Sequence, residues 1–226
     1  MIKQYIQQNT GVCLSQEAEN KLEVYYRFLT EENAKYNLTA ITERNEVYIK
    51  HFADSILGSI AIPQNATLCD VGSGAGFPSI PIAIVRSDVR ITIVDSLEKR
   101  VNFCKTLCNQ IDVSAQFYHD RIEDFSKTNS ERFDVAAARA VAPLSVLLEY
   151  LAQIVKLGGI VLAYKTDDDE LASAQNACRT LGLHFEKAFR FVLPDDSKRC
   201  LLVFRKTAST PQKYPRGQNK PRKQPL

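Results

Sequence analysis

Apolar residues recur at helical spacing through the first 60 residues of the chain. In residues 15–35 and again in residues 43–60 they fall about every third or fourth position, as on one side of a helix of 3.6 residues per turn. The apolar positions of the first stretch are Leu22, Tyr25, Tyr26, Phe28 and Leu29. Neither stretch contains a glycine-rich loop or a strand-like run. The pattern predicts an amino-terminal helical appendage.

From residue 67 the pattern changes to short apolar runs that alternate with helix-like segments. The predicted strands lie near 67–71, 90–95, 114–118, 133–137, 158–164, 184–193 and 199–205. The predicted helices lie near 77–86, 97–110, 143–155 and 168–181, and we expect Gly158-Gly159 to close the third of these as a helix C-cap. Strands that alternate with helices predict a parallel sheet covered on both faces.

The end of this alternating region predicts a change of strand direction. Pro194-Asp195-Asp196-Ser197 between the last two strands is typical of a turn and favours an antiparallel pair. We therefore predict an α/β fold, with a Rossmann-like, seven-stranded, mostly parallel sheet. The predicted division is a helical segment at 1–63, a Rossmann-like domain at 64–206 and a tail at 207–226.

A glycine-rich loop follows the first predicted strand. Gly72, Gly74 and Gly76 come directly after the apolar run that begins at Thr67, and a helix-like stretch follows them. Glycines at alternate positions let a ligand approach the main-chain N–H groups at a helix N-terminus. The next predicted strand ends at Asp95, 19 residues beyond Gly76, a spacing at which a carboxylate reaches ribose hydroxyls. Together these features predict a nucleoside-containing cofactor, although a purely structural turn would use the same glycines.

The spacing of the glycines distinguishes two nucleoside cofactors. Dinucleotide sites use G-x-G-x-x-G, whereas this loop is G-x-G-x-G, with Phe77 where a third glycine would stand. The loop, with Asp70 before it, is similar to motif I of methyltransferases that use S-adenosyl-L-methionine (SAM). An antiparallel pair of strands at the end of the sheet is also typical of methyltransferases rather than dehydrogenases.

Composition is that of an ordinary globular protein. The chain has 226 residues, of which 45% are hydrophobic, and it contains no apolar run approaching the roughly 20 residues of a membrane span. The amino terminus lacks a signal-peptide apolar region, so a cytoplasmic location is expected. The six cysteines form no C-x-x-C pair, and we predict neither a disulfide framework nor a metal site.

The positive charge of the chain is concentrated in its last 20 residues. Residues 207–226 contain five basic residues and no acid, so removing them from a net charge of +3 leaves the rest at −2. Four prolines in the same segment disfavour a helix or a central strand, and we expect the tail to be extended and mobile in isolation. The tail is expected either to bind a phosphate backbone or to act only as a solubilising terminus.

Several short motifs, in order along the chain, resemble one family closely. They are Tyr36-Asn-Leu-Thr-Ala-Ile41, His51-x-x-Asp54-Ser55, Asp70-Val-Gly-Ser-Gly-Ala-Gly-Phe-Pro78, Asp95-Ser-x-x-Lys-Arg100, Ala138-Arg-Ala140 and Tyr214-Pro-Arg216. This set is similar to the RsmG (GidB) family of bacterial small-subunit rRNA methyltransferases. The resemblance implies methyl transfer from SAM to N7 of one guanine in 16S rRNA, with the small ribosomal subunit as partner. Because no feature of the sequence requires an oligomer, we expect a monomer.

The resemblance also implies the residues of the cofactor site. They are Gly72 and Phe77 in the loop, Ile122 and Glu123 after the third strand, and Arg139 after the fourth, to which the residue pattern itself adds Gly74, Gly76 and Asp95. Arg139 is expected to meet the SAM carboxylate, an RNA phosphate or an acidic neighbour, and Phe77 either to pack near the ligand or to lie in the core. The candidate RNA contacts are Lys165, Lys213, Arg216, Arg222 and Lys223.

Guanine N7 carries no proton, so methyl transfer to it needs no general base, and we assign no catalytic residue. Deleting residues 207–226 is expected to weaken RNA binding and leave SAM affinity intact. The alternatives are a SAM-dependent methyltransferase for another RNA or a small molecule, a nicotinamide-dependent dehydrogenase, and an RNA-binding module that takes up no SAM.

Overall fold

The computed structural model describes residues 2–140 and 142–226. Its amino-terminal part consists of helices α1 (Ile2–Thr10), α2 (Gln16–Tyr36), α3 (Arg44–Val47) and α4 (Asp54–Leu57). The last two are joined through π-helical turns at Tyr48–Ala53, and a 3-10 turn at Gly58–Ile60 follows α4. The sequence pattern predicted α2 and the segment after it but missed α1.

Helix α2 has clear start and stop signals. The Ser15 side chain accepts a hydrogen bond from the Ala18 N–H at 3.1 Å, which satisfies one of the free donors of the first turn. The helix ends at Asn37, whose φ of 49° is left-handed and whose N–H donates to the Asn33 carbonyl.

Strands and helices alternate through the rest of the chain. The strands are β1 (Thr67–Val71), β2 (Arg90–Asp95), β3 (Ala115–His119), β4 (Phe133–Arg139), β5 (Val155–Lys165), β6 (Leu183–Val192) and β7 (Lys198–Lys206). The helices are α5 (Ser79–Val85), α6 (Glu98–Gln110), α7 (Ile122–Thr128), α8 (Leu144–Ala152), α9 (Gln175–Leu181) and α10 (Lys220–Lys223), with a 3-10 turn at Asp169–Leu171 before α9.

Within the described residues these strands form one seven-stranded sheet in the order β3-β2-β1-β4-β5-β7-β6. The first five are parallel, and β7 runs antiparallel to both β5 and β6. The predicted Rossmann-like fold with an antiparallel ending is confirmed. The strand order reverses between β1 and β4, where ligands bind in open α/β sheets, at the carboxyl ends of the strands.

Two apolar clusters lie on opposite faces of the sheet. Alternate residues of β1 belong to different clusters, Leu68 to one and Cys69 to the other, as the two-residue period of a strand requires. The first cluster also contains residues of α1, α2 and α4, such as Ile6, Tyr25 and Ile56. The amino-terminal helices therefore share a core with the sheet and lie against α5 and α6.

The predicted helix C-cap at Gly158-Gly159 is wrong. Both glycines lie inside β5, where its register against β4 shifts. A Cβ on Gly159 would lie 2.8 Å from the Asp134 carbonyl oxygen, so glycine is needed for the two backbones to approach. The predicted helix at 168–181 is also interrupted, with α9 confined to its second half.

The expectation of an extended, mobile tail is wrong as well. Tyr214 is 7% exposed and belongs to the second apolar cluster, and Pro221 is buried in α10. The Thr210 hydroxyl donates to the Leu181 carbonyl at 2.8 Å. The tail folds back over the sheet because its few apolar residues find places in that cluster. A search of the described helices finds none long and apolar enough to cross a membrane.

Candidate active site

The glycine-rich loop between β1 and α5 has the conformation that its sequence predicts. Gly72, Gly74 and Gly76 have φ values of 70°, 60° and 94°, in the left-handed region that favours glycine. A Cβ on Gly76 would lie 2.4 Å from Ile80 Cδ1, whereas a Cβ on Gly74 would meet nothing within 4 Å. Glycine is therefore needed at position 76 because the loop packs closely against the interior there, whereas Gly74 borders open space.

Asp95, at the end of β2, holds the loop in place. Its Oδ2 accepts a hydrogen bond from the Gly74 N–H at 3.0 Å, and its Oδ1 accepts one from the Leu97 N–H at 2.9 Å. The Arg100 guanidinium lies 3.6 Å from Oδ2. The side chain is 2% exposed, so the carboxylate positions the loop from the edge of the pocket.

A pocket of about 150 Å³ lies at the carboxyl ends of β1, β2 and β3. Gly72 and Asp95 line one side, and Ile122 and Glu123, at the start of α7, line another. Asn219 and Arg222, from the tail, complete it. An acid, an apolar wall and exposed main chain in one concave site are typical of nucleoside pockets.

Asp70, at the end of β1, is fully buried beneath the loop. Its Oδ2 accepts a hydrogen bond from the Ser79 N–H at 3.0 Å, and its Oδ1 has no hydrogen-bond partner among the described residues. The Ser73 hydroxyl in the loop likewise has none there. Burial raises the pKa of the Asp70 carboxyl to about 6, against the hydrogen bonds from Ser79 that lower it.

Phe77 lies at the centre of an aromatic stack that joins the loop to the amino-terminal helices. Its ring is 5.3 Å from that of Tyr25, at an interplanar angle of 9°, and 4.5 Å from the imidazole of His51. The Tyr25 hydroxyl donates to the Ala75 carbonyl. Phe77 is 5% exposed, so its side chain lies in the core and supports the loop from behind.

Arg139, at the end of β4, is held by the π-helical turns and α4. Its Nη1 donates to the Lys50 carbonyl at 3.1 Å and to Asp54 Oδ2 at 2.9 Å, and its Nη2 donates to His51 Nδ1 at 3.1 Å. Its guanidinium lies 4.8 Å from the centre of the Phe77 ring. Of the three partners expected for Arg139, the structure contains the acidic neighbour, Asp54.

His51 is a neutral member of this network. Because a guanidinium can only donate, Nδ1 accepts from Arg139, and the ring proton on Nε2 faces Thr39 Oγ1 at 2.8 Å. Burial, followed by the charge of Arg139, lowers the pKa of His51 to about 3. Both nitrogens are thus engaged in holding the Asn37-Leu38-Thr39 segment to Arg139.

Two of the predicted RNA contacts have intramolecular partners. Lys165 Nζ donates to the Ala142 carbonyl at 3.0 Å and lies 2.6 Å from Glu170 Oε1. The Arg216 guanidinium forms a bidentate ion pair with the buried Glu149, its Nη2 lying 2.7 Å from Oε2. Both predicted contacts therefore already pair with an acid of the same chain, Lys165 with the half-buried Glu170 and Arg216 with the buried Glu149.

The remaining predicted contacts, Lys213, Arg222 and Lys223, are exposed. Lys213 Nζ lies 5.2 Å from the centre of the Tyr214 ring, and Lys223 lines a groove beside α7. Among residues 2–140 and 142–226, no group of three or more His, Cys, Asp or Glu side chains is arranged to hold a metal ion.

A family model described as rRNA small subunit methyltransferase G matches residues 18–195. The chain belongs to this methyltransferase family. Relatives named Ribosomal RNA small subunit methyltransferase G include that of Bacillus velezensis, 45% identical over 96% of this chain and 94% of the relative. The relative from Staphylococcus haemolyticus is 44% identical, over 96% of this chain and 93% of the relative. The relative from Bacillus subtilis is 43% identical, over 96% of this chain and 94% of the relative.

Solved structures show the same fold for the methyltransferase. A SAM dependent methyltransferase from Aquifex aeolicus has a TM-score of 0.56 at 12% identity, covering 74% of this chain and 96% of that one. The ribosomal protein L11 methylase of Lactobacillus delbrueckii subsp. bulgaricus has a TM-score of 0.55 at 16% identity, covering 70% and 80%.

SAM is the cofactor of the methyltransferase, and three features of the site fit it. The space beside Gly74 admits a ligand to the main chain, and Ile122 provides an apolar wall. The unpartnered Oδ1 of Asp70 suits a positively charged donor such as the SAM ammonium group.

The sequence pattern missed the contribution of Tyr150, Asn219 and Arg222 to the pocket of the methyltransferase. Tyr150 lies on α8 and the other two in the tail, far from the loop along the chain. Asp120 and Arg121, which also line it, follow β3 at the carboxyl edge of the sheet and were detectable by their position there.

Proposed function

We propose that this chain transfers a methyl group from SAM to N7 of one guanine in the 16S rRNA of the small ribosomal subunit. The observation that carries the proposal is the family relationship, which extends over nearly the whole chain at 43–45% identity. The glycine-rich loop, Asp95 and Ile122 in one pocket agree with it.

We propose that Gly72, Gly74 and Gly76 give the cofactor access to the main chain, and that Asp95 binds the ribose. Ile122 would contact the adenine, with Glu123 beside it at the same wall. Arg139 would act at the amino-acid end of the cofactor, where it already lies beside Asp54 and His51. Phe77 would support from the core the loop that contacts the cofactor.

Methyl transfer to N7 requires the side chains mainly to position the two reactants. Bound SAM supplies an electrophilic methyl group on a sulfonium. Guanine N7 has a lone pair and no proton, so no residue has to accept a proton before attack. The contribution of the protein is to align the two reactants and exclude water. His51, with a pKa of about 3 and both nitrogens hydrogen-bonded, is unsuited to proton transfer at neutral pH.

Positive charge supports an RNA substrate. The exposed Lys213 and Lys223 would contact phosphates, which position a nucleic acid without specifying its sequence. Arg222, the third exposed cation predicted to contact RNA, lines the cofactor pocket. We further propose that the protein acts as a monomer in the cytoplasm, and that residues 1–63, 64–206 and 207–226 form its helical, cofactor-binding and tail segments.

Radiolabelled SAM provides the direct test. The purified protein is incubated with protein-free 16S rRNA and with small subunits from cells that lack it, and the label is mapped by nuclease digestion. Label at N7 of a single guanine is the expected result. Binding of SAM without label on either substrate would contradict the rRNA acceptor and leave the cofactor site standing.

A further inference from the structure

We propose that the tail is a wall of the cofactor site, with Asn219 and Arg222 contacting bound SAM, so that cofactor binding and tail docking stabilise each other. The proposal rests on the proposed function in one respect: it takes the pocket beside the glycine-rich loop as the SAM site. It assigns two binding residues that neither the loop motif nor the strand-end acid indicates.

The tail is anchored on α8 by a buried ion pair. Glu149 has no exposed surface, and its Oε1 accepts from both the N–H and the Nε of Arg216 at 2.9 Å. Arg216 Nη2 donates to Glu149 Oε2 at 2.7 Å and to the Gln224 carbonyl at 2.8 Å. One guanidinium therefore fixes both the start and the end of the segment that contains α10.

A second anchor is apolar. Tyr214 and Pro221 are both buried, on either side of residues 217–220, which are exposed. The segment between the anchors is thus held at both ends while its side chains stay at the surface. The side chains of residues 217–220 are therefore held at the surface, where a ligand can contact them, and do not pack in the core.

The anchored segment lies over the pocket. Asn219 and Arg222 line it together with Gly72, Asp95 and Ile122, which belong to the sheet edge and α7. Tyr150 lines the same pocket. Burial raises the pKa of its hydroxyl, and a hydrogen bond from the Arg222 side chain lowers that pKa in part. Arg222 is therefore tied to the wall of the pocket.

The chemistry of these two side chains suits a purine nucleoside. An amide offers both a donor and acceptor, as does the edge of adenine, and a guanidinium stacks on aromatic planes. Ile122 adds an apolar surface to the same cavity of about 150 Å³. If bound SAM contacts the tail only while the tail is docked, cofactor binding raises the equilibrium constant for docking. Docking then raises the affinity for the cofactor by the same factor.

Binding of S-adenosylhomocysteine, measured calorimetrically, tests the proposal with the full-length protein. The variants are Asn219→Gly, which keeps the left-handed backbone at φ 59° while removing the amide, and Arg222→Ala. Lys220→Ala is the matched control, because it removes one positive charge from the same helix outside the pocket. We expect each pocket variant to weaken binding about tenfold, or about 1.4 kcal/mol, and the control to bind as the wild type does.

Hydrogen exchange gives a second readout without activity. S-adenosylhomocysteine is expected to slow exchange of the amides of residues 217–223 in the wild-type protein, and less so in Arg222→Ala. Wild-type affinity in both pocket variants, with exchange of the tail unchanged by the ligand, would overturn the proposal and leave the proposed function intact. Failure of the wild-type protein to bind the ligand at all would overturn both.

Discussion

Gly74 and Gly76 have similar backbone conformations but different surroundings, and this makes them a matched pair of probes. Both have positive φ, where a side chain costs about 1–2 kcal/mol. Only Gly76 has neighbours that an added Cβ would strike, Ile80 at 2.4 Å and the Tyr25 hydroxyl at 2.9 Å. A Cβ on Gly74 would meet no protein atom within 4 Å.

We therefore predict that Gly74→Ala abolishes or strongly weakens S-adenosylhomocysteine binding at a stability cost of about 1–2 kcal/mol. Gly76→Ala is expected to lower the free energy of unfolding by more than Gly74→Ala does, because its Cβ also collides with the interior. Urea denaturation and calorimetry separate the two effects. Wild-type ligand affinity in Gly74→Ala would remove Gly74 from the site.

The low pKa of His51 predicts that the folded protein loses stability as the pH falls. Its pKa is about 3 in the folded protein and near 6.5 in the unfolded chain, so the unfolded state binds more protons between these values. The stability it contributes is present above pH 6.5 and declines as the pH falls toward 3. Between pH 7 and pH 5 the loss is about 2 kcal/mol.

Comparison with His51→Gln isolates this contribution. The pKa of Asp70 is about 6 in the folded protein, above its value in the unfolded chain. Asp70 therefore adds stability as the pH falls, whereas His51 loses it. The stability advantage of the wild-type protein over His51→Gln should narrow by about 2 kcal/mol from pH 7 to pH 5. NMR of the imidazole should find the Nε2–H tautomer at pH 5, and a protonated ring there would contradict the network.

At the scale of elements, the contact between α8 and the tail includes one buried ion pair, between Glu149 and Arg216. Arg216→Ala would leave the Glu149 carboxylate buried and unpaired, which costs about 3–5 kcal/mol. In the double variant Glu149→Gln/Arg216→Met the charge is gone, and the amide oxygen still accepts from the residue 216 N–H. We expect this variant to be more stable than Arg216→Ala in urea denaturation, and the reverse order would contradict the role of the buried charge.

The sequence predicted elements well where the local pattern and the fold agree. Strand β1 is buried on both faces and reads as a short apolar run, and the turn at residues 194–197 reverses the chain as its composition predicts. The prediction failed at Gly158-Gly159, because a helix C-cap and a bulged strand both favour glycine. Tail anchoring by Arg216 was also missed, because its partner Glu149 is 67 residues away and shows no local signal.

At the scale of the whole molecule, the amino-terminal helices and the tail both converge on the cofactor loop. The Tyr25 hydroxyl donates to the loop from α2, and His51 and Arg139 join the π-helical turns to β4. Asn219 and Arg222 of the tail line the pocket. The family and the loop could be predicted from short motifs. The role of the tail could not, because its place depends on tertiary contacts.

Deleting residues 217–226 tests this convergence. For deletion of the whole tail, residues 207–226, the sequence alone predicts weaker RNA binding with SAM affinity intact. Because Asn219 and Arg222 line the pocket, we expect the shorter deletion to lower both affinities. Loss of Lys223, the proposed phosphate contact in this segment, should also reduce the slope of log affinity for the small subunit against log salt by about 1. An unchanged slope would show that Lys223 does not contact phosphate.

The most direct test of the proposed function is the 7-methylguanosine content of 16S rRNA, measured by mass spectrometry of nuclease fragments. The rRNA is taken from cells that lack the protein and from the same cells supplied with the wild type or with Gly74→Ala. We predict that one fragment loses its 7-methylguanosine in the deficient cells and regains it only with the wild-type protein. Full methylation of every fragment in the deficient cells would contradict the assignment of 16S rRNA as the methyl acceptor.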